Sequence, residues 1–232
     1  MRTPLSRIAD VWIGLATALA LVALTIPLFL NPLWVAFEQG RAQATAWTGY
    51  SETELRTATD AILGDLVVGP PDFDVEVAGE PVLNERERAH MRDVRGVFIG
   101  FFAVTILAAV AAAVVATRRH GELRRATWRA VRGGAVGLVA GLALAGVIAV
   151  VAFEALFETF HRLFFAGGSY TFDPRTERLV QLFPFTFWQE TAIAVGVVSA
   201  VLAILVAAVA TRRLSRATAA VQAAARLQGS HS

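Results

Sequence analysis

The chain has no cysteine, no lysine and little charge of either sign. The absence of cysteine excludes disulfides, thiolate catalysis and cysteine-ligated metals. All 21 basic residues are arginines, which points to a GC-rich genome more than to a mechanism. The net charge of +2 is small and the arginines are dispersed, which argues against nucleic acid as a partner. What the chain does have is hydrophobic residues: they make up 56% of it, and only 17% is charged.

Long apolar runs account for this composition. Four of them, at residues 11–30, 97–117, 135–153 and 191–210, are each long enough to cross a hydrocarbon core about 30 Å thick. The sequence therefore predicts an all-α integral membrane protein built as a four-transmembrane-helix bundle. We expect residues 1–216 to form a single transmembrane domain and residues 217–232 to form a cytoplasmic tail.

The placement of the arginines predicts the orientation of the bundle. Arg2 and Arg7 precede the first run, and three arginines follow the fourth, at positions 212, 213 and 216. Six more lie between the second and third runs: Arg118, Arg119, Arg124, Arg125, Arg129 and Arg132. Short basic segments stay in the cytoplasm, so both termini are expected inside. The outer loops are then residues 31–95 and 160–188.

The large first outer loop carries local structure signals. Ser51 and Glu54 form a capping box ahead of apolar residues at helical spacing, which predicts a short amphipathic helix from Ser51 to about Leu66. Apolar and acidic residues alternate over 73–77, a weak signal for a β-hairpin. Asn84, with Glu87 three residues later, is expected to cap a helix that continues through the second span.

The third span carries a stripe of small residues at four-residue spacing: Gly133, Gly137, Gly141 and Ala145. Such a stripe allows two helices to approach closely, so helix packing is its expected role.

Two histidines share one predicted depth. His90 lies about 27 residues before Thr117, and His161 lies about 27 residues after Gly134. At 1.5 Å per residue each would be roughly 40 Å from its inner anchor, at the outer headgroup level. His120 lies in the arginine-rich link and His231 at the end of the tail, so neither competes for this position.

Carboxylates flank both outer histidines at helical spacing. Glu87 and Asp93 lie three residues either side of His90, and Glu158 lies three residues before His161. A carboxylate beside an imidazole fixes its tautomer and raises its basicity, as a general base requires. From the residues alone, solvated or ion-paired surface groups remain the commoner interpretation, and a histidine–carboxylate metal site is a further alternative. No HExxH, GxSxG or Walker-type motif is present.

Three segments resemble the Lit family, the lipoprotein intramolecular transacylases: NERERAHMRDVRGVF, FETFHRLFF and SYTFDPRTERLVQLFPFTFW. The E-x-x-H-x-x-D-V pattern appears as Glu87, His90, Asp93 and Val94, and the F-H-x-x-F pattern as Phe160, His161 and Phe164. The W-x-F-D-P-like turn appears as Tyr170, Phe172, Asp173 and Pro174. Tyr170 stands where the family pattern has Trp, and Glu177 where it has Asp.

The resemblance implies an enzyme that works on diacylated bacterial lipoproteins. It would move the sn-2 acyl chain from the glyceryl group to the α-amino group of the N-terminal cysteine, giving an N-acyl lyso-glyceryl lipoprotein. The implied location is the bacterial cytoplasmic membrane, multi-pass, with the active site on the extracytoplasmic side and membrane phospholipid as surroundings. No cofactor, metal or nucleic acid is implied, and the oligomeric state stays open.

For this reaction we favour His90 as the base, oriented by Asp93 or Glu87, and His161 as the acid or oxyanion donor beside Glu158. The reverse assignment of the two histidines stays open. Candidates for headgroup or oxyanion contacts are Asn84, Arg92, Tyr170 and Asp173, and the other arginines near His90 are expected to contact lipid headgroups.

Two other functions remain as alternatives. One is a non-enzymatic four-span protein that binds lipid or assists assembly. The weaker one is a metal-dependent membrane hydrolase using His90, His161, Glu158 and Asp93.

Overall fold

Four long helices dominate the computed structural model, which describes residues 3–165 and 167–229, with side chains to residue 219. They are α1 (Pro4–Thr25), α5 (Glu85–Thr117), α6 (Gly121–Phe164) and α8 (Phe185–Gly229). Each is long and apolar enough to cross a membrane. The predicted all-α membrane fold with four spans is therefore confirmed. Arg2 and His231, which entered the sequence argument, lie outside the described residues.

The segment between the first and second spans, predicted to be the first outer loop and called here the first outer segment, folds into three short helices and a hairpin. They are α2 (Pro32–Arg41), α3 (Ala44–Thr48), α4 (Glu52–Val67), and β1 (Glu76–Val77) paired antiparallel with β2 (Glu80–Pro81). The predicted amphipathic helix is confirmed as α4, with the capping box between Ser51 and Glu54 formed in both directions. The hairpin turns at Ala78 and Gly79, both with positive φ, as a tight two-residue turn requires.

Helix α6 is interrupted once, at Ala152, where φ is −149° and ψ is 42°. Such a break leaves backbone groups without helical partners inside an apolar helix. The side-chain amide of Gln189 donates a hydrogen bond to the carbonyl of Ala149, at 3.2 Å, and so supplies one partner beside the break.

The chain divides into two compact units, to which all four long helices contribute. The first unit comprises the described parts of Met1–Ala23, Ala103–Leu144 and Val197–Ser232. Within it, Gly134 meets the backbone of Gly14 so closely that no Cβ would fit. Gly133, Gly137 and Gly141 face open space in the described part of the chain. The predicted packing stripe therefore lies beside the close helix contact and not in it.

The second unit comprises Leu24–Phe102 and Ala145–Gly196. Its core packs the buried face of α4 against the hairpin, the start of α5 and a fourth short helix, α7 (Arg178–Leu182). Gln39 of α2 adds a buried polar link, since its amide donates to the hydroxyl of Thr59 and to the carbonyl of Leu182, at 2.9 and 3.0 Å. These contacts fix the first outer segment to the second one.

The arginines near the start of α5 bind the protein itself. Arg95 donates to the carbonyls of Asp65 and Gly69 at the end of α4. Arg88 pairs with Asp74 at 3.0 Å, and Arg92 with Glu85 at 2.6 Å. Arg88 and Arg95 therefore tie the segment before α5 to this helix, whereas Arg92 pairs within it. Contact of arginines in this region with lipid headgroups stays a prediction.

Candidate active site

His90 and His161 come together in the second unit. His90 lies in the second turn of α5, and His161 lies near the end of α6. Their ring centroids are 6.0 Å apart, and the rings are nearly parallel, at 23°. Both side chains are buried, with residue exposures of 6% and 9%. The structure thus brings together the two histidines that the sequence placed at one depth.

Aromatic rings enclose this histidine pair. Phe165 and Phe172 lie 4.8 and 5.4 Å from the His90 ring, both edge-on. Phe157 and Tyr170 lie 4.1 and 5.0 Å from the His161 ring. Such surroundings exclude water and strengthen electrostatic interactions between groups inside the site.

A hydrogen bond assigns the tautomer of His161, and the lack of one at Nδ1 among the described residues assigns that of His90. Nδ1 of His161 is 2.7 Å from the carbonyl oxygen of Phe157. A carbonyl only accepts, so this nitrogen carries a proton, and Nε2 of the neutral ring holds the lone pair. Nδ1 of His90 is buried without a hydrogen-bond partner among the described residues. Because a buried N–H without a partner is rarer than a buried acceptor, we assign the His90 proton to Nε2.

Glu87 binds backbone amides and not the imidazole. It is 1% exposed, and its carboxylate accepts hydrogen bonds from the N–H of Leu179 at 2.6 Å and of Asn84 at 2.8 Å. Asn84 returns a bond by accepting from the N–H of Glu87 at 3.0 Å. Asn84 therefore caps α5 as predicted. Both oxygens of Glu87 thus accept hydrogen bonds from backbone N–H groups, and Nδ1 of His90 has no bond to it. A role of Glu87 in orienting His90 stays a prediction and would act through the start of α5.

The remaining carboxylates near the pair differ in their contacts. Asp93 is exposed and acts on His90 electrostatically, with no bond to Nδ1. Glu158 accepts from the hydroxyl of Tyr170 at 3.1 Å and from Arg162 at 2.8 Å. Tyr170 thus touches both Glu158 and the His161 ring. Within residues 3–165 and 167–229, no three potential metal ligands cluster.

Arg86 and Glu177 were missed as a pair by the sequence argument. The Arg86 guanidinium binds both carboxylate oxygens of Glu177, at 2.5 and 2.6 Å, and the carbonyl of Thr171 at 2.8 Å. It also lies 4.7 Å from the centroid of Phe172, the ring that covers His90. The signal was present: an arginine in the first turn of a helix opposes the helix dipole and implies a specific acidic partner.

Glu177 is held ionised by this arrangement. Burial acts to raise the pKa of Glu177, but the hydrogen bonds from Arg86 and from the N–H of Asp173 outweigh it and leave the pKa lowered. The bond from Asp173 is 2.6 Å long, and the Asp173 side chain caps the N–H of Arg175 at 2.9 Å. Asp173 therefore shapes the turn that carries Phe172.

The sequence of residues 11–188 matches the profile of a family described as the lipoprotein intramolecular transacylase Lit. The chain belongs to the Lit family. A comparison with curated protein sequences gave no match.

Solved structures carry the same fold. The membrane-integral Lit from Bacillus cereus is similar with a TM-score of 0.73 at 18% identity, over 91% of this chain and 96% of its own. A variant of that protein with one histidine replaced by arginine gives 0.68 at 18% identity, over 94% and 95%. A variant with a histidine replaced by alanine gives 0.67 at 19% identity, over 91% and 94%.

Membership of the Lit family makes this chain a membrane acyltransferase that acts on lipoproteins. The first hypothesis from the sequence is confirmed at this level, and the alternative of a non-enzymatic four-span protein is wrong. The family match includes α5, the end of α6 and the turn with Phe172, so the enclosed histidine pair lies within the matched region.

Proposed function

We propose that this enzyme moves the sn-2 acyl chain of a diacylglyceryl-cysteine lipoprotein to the α-amino group of that cysteine. The observation that carries the proposal is the pair of buried, nearly parallel imidazoles at a centroid distance of 6.0 Å. Acyl transfer needs a base and a proton donor around one carbonyl carbon, and two imidazoles can fill both roles without a cofactor. The site would face the outer side of a bacterial cytoplasmic membrane.

The hydrogen-bond states favour His161 as the base. Its Nδ1–H is bound to the carbonyl of Phe157, which leaves Nε2 to accept a proton. His90, with an enclosed and unpartnered Nδ1, is better suited to donate from Nε2–H. This assignment reverses the one favoured from the sequence, where the carboxylates around His90 were expected to orient it as the base.

The reaction can be written with its protons balanced. The substrate α-ammonium has a pKa near 8, so His161 first removes one proton to free the nitrogen lone pair. The amine attacks the sn-2 ester carbon, a C–N bond forms, and His90 donates a hydrogen bond to the oxyanion. His161 passes its first proton to solvent and takes the second proton from the amine nitrogen. As a histidinium it gives that proton to the sn-2 oxygen while the C–O bond breaks, so the reaction releases one proton overall. Donor and acceptor belong to one molecule, so positioning provides much of the rate.

Glu158 is suited to hold the ammonium before its deprotonation. Its side chain is 45% exposed, and the hydroxyl of Tyr170 fixes one of its oxygens. A carboxylate beside the base attracts the charged amine and orients its N–H toward Nε2 of His161.

The test is to express the protein in a strain whose lipoproteins are diacylated and to analyse N-terminal lipopeptides by mass spectrometry. Wild type is expected to yield the N-acyl, lyso-glyceryl form, and His90→Ala and His161→Ala are expected to abolish it. Thr159→Ala is the matched control, because this exposed hydroxyl binds only its own helix at Ala155. Product formed equally well by both histidine variants would contradict the site, and no product from well-expressed wild type would contradict the reaction.

Glutamine substitutions separate the two roles. The amide nitrogen of Gln can replace Nε2–H as a donor, but it cannot accept a proton near neutral pH. We expect His90→Gln to retain more activity than His90→Ala, and His161→Gln to be as inactive as His161→Ala. If His161→Gln were more active than His161→Ala while His90→Gln were as inactive as His90→Ala, His90 would be the base.

A further inference from the structure

The first unit contains a basic cavity that the acyl-transfer site does not use. It has a volume of about 700 Å³ and lies where α5 ends, α6 begins and α8 passes. Its polar lining includes Arg124, Arg125 and Arg213, and its apolar lining includes Trp128 and Leu214. Nothing in the proposed reaction requires a basic cavity at this place.

Two of the arginines are available to an external anion. Arg125 is paired with Glu122 at 2.9 Å, and no described carboxylate pairs with Arg124 or Arg213. The Arg213 guanidinium lies 5.9 Å from the centroid of Trp128, an arrangement that orients its charge without neutralising it.

Two further features favour an anion in this cavity. Arg119 also lines it and is kept in place, 7% exposed, by a 2.6 Å ion pair with Asp10. Helix α6 begins at Gly121, which is part of the lining, so the partial positive charge of a helix N-terminus adds to that of the arginines.

We propose that this cavity binds the phosphate headgroup of an anionic phospholipid. The cavity lies at the ends of helices that are long and apolar enough to span a membrane, where lipid headgroups are found. Basic pockets between transmembrane helices are suited to such headgroups, and a tryptophan beside them fits the interface. A zwitterionic lipid carries a cation as well as the phosphate, and the surrounding arginines repel that cation.

The experiment uses the full-length protein, delipidated in a neutral detergent and titrated with dioleoyl-phosphatidylglycerol or dioleoyl-phosphatidylcholine under native mass spectrometry. Wild type is expected to bind phosphatidylglycerol more tightly than phosphatidylcholine. Arg124→Gln combined with Arg213→Gln is expected to weaken that binding roughly thirtyfold, since each arginine near anionic lipid contributes roughly fivefold.

The matched control is Arg118→Gln combined with Arg216→Gln. Both residues are exposed, neither lines the cavity, and the loss of charge is the same. This control is expected to bind phosphatidylglycerol with the affinity of wild type. If both double variants lost the same affinity for phosphatidylglycerol, the binding would be general charge attraction and the site would be overturned. Equal affinity of wild type for phosphatidylcholine and phosphatidylglycerol would also overturn it.

Inorganic phosphate distinguishes the two sources of a phosphate group. Millimolar phosphate is expected to leave the bound lipid in place, and full displacement would assign the cavity to a soluble ion and overturn the lipid assignment. If the double variant does not fold, Arg213→Gln alone is expected to weaken binding roughly fivefold. Acyl transfer is not needed for any of these readouts, so they stand or fall separately from the proposed reaction.

Discussion

At the scale of single residues, Glu38 is a carboxyl group in a buried position. This α2 side chain is 3% exposed, and one of its oxygens has no hydrogen-bond partner in the described chain. Burial, together with the hydrogen bond and the charge of Glu190, raises the pKa of Glu38 to about 7, against a smaller lowering by Arg41. Arg41 itself is bound to both oxygens of Glu190, at 2.5 and 3.0 Å. Below about pH 7, Glu38 is therefore protonated beside Glu190, whose negative charge is already balanced by Arg41.

This raised pKa predicts a pH-dependent stability. A carboxyl whose folded pKa exceeds its unfolded value of 4.5 favours the fold fully below that value and loses its contribution as pH rises through about 7. We expect the melting temperature of wild type in detergent to fall between about pH 4.5 and about pH 7 and to level off above that. Glu38→Gln, which still donates to Glu190, should remove that fall.

Glu80→Gln is the control, because Glu80 is exposed on β2. This variant should keep the wild-type pH dependence. A Glu38→Gln protein that melts with the same pH dependence as wild type would show that the effect arises at another group.

At the scale of helices and strands, the sequence predicted those elements whose signals are local. Helix α4 had its capping box and its apolar face within one stretch, and α5 began at the predicted Asn84 cap. Helix α2 was missed although Asn31 and Pro32 are a standard helix start: Asn31 accepts from the N–H groups of Leu33 and Trp34.

Helix α7 could not be predicted from its own residues. It has five residues, too few to show a helical period. The N–H of Leu179 in its first turn is capped by Glu87, 92 positions earlier in the chain. The same applies to the site. Shared depth predicted the meeting of His90 and His161, whereas the aromatic enclosure depends on side chains from the end of α6 and from the turn near Phe172. Such contacts are set by tertiary packing, which spacing along one helix does not show.

The contact between α5 and the second outer loop predicts a positioning role for Arg86. Arg86→Ala should lower the rate constant kcat on the order of a hundredfold, because a shift of Phe172 would misplace the His90 ring. KM should change less, because Arg86 binds Glu177 and has no proposed contact with the substrate. Arg86→Lys keeps the cation but loses the two-oxygen grip on Glu177, and it should recover part of the rate.

Two comparisons check that Arg86 acts through Phe172. Arg88→Ala removes an arginine from the same helix that holds Asp74 instead, and its kcat should stay near wild type. Phe172→Leu combined with Arg86→Ala should be no slower than the worse single variant. Additive losses in that double variant would mean that Arg86 affects the reaction by another route.

At the scale of the whole molecule, the orientation in the membrane remains a prediction from charge. The arginines between α5 and α6 and those late in α8 place these segments in the cytoplasm, and the histidine pair on the outer side. The natural absence of cysteine makes this directly testable, because a single introduced thiol has no background.

We expect Asp60→Cys, on the exposed face of α4, to react with a membrane-impermeant maleimide in intact cells. Glu122→Cys and Ser215→Cys, at exposed positions of α6 and α8, should react only after the membrane is permeabilised. Labelling of all three in intact cells would indicate lysis, and the reverse pattern would invert the topology and put the acyl-transfer site on the inner side.

One carboxylate links two parts of the chain that are far apart in sequence. Glu87 caps the N-termini of two helices: its carboxylate accepts hydrogen bonds from the N–H of Asn84, at the start of α5, and from the N–H of Leu179, in α7. Neither first turn can therefore fray alone without leaving a buried charge unsatisfied, and the two should open in a single cooperative event. The amide proton of Leu179 would then exchange with solvent at the rate of that shared opening. The N–H of Leu179, which lies outside α5, thus reports on how often the N-terminal turns of α5 that carry His90 unfold.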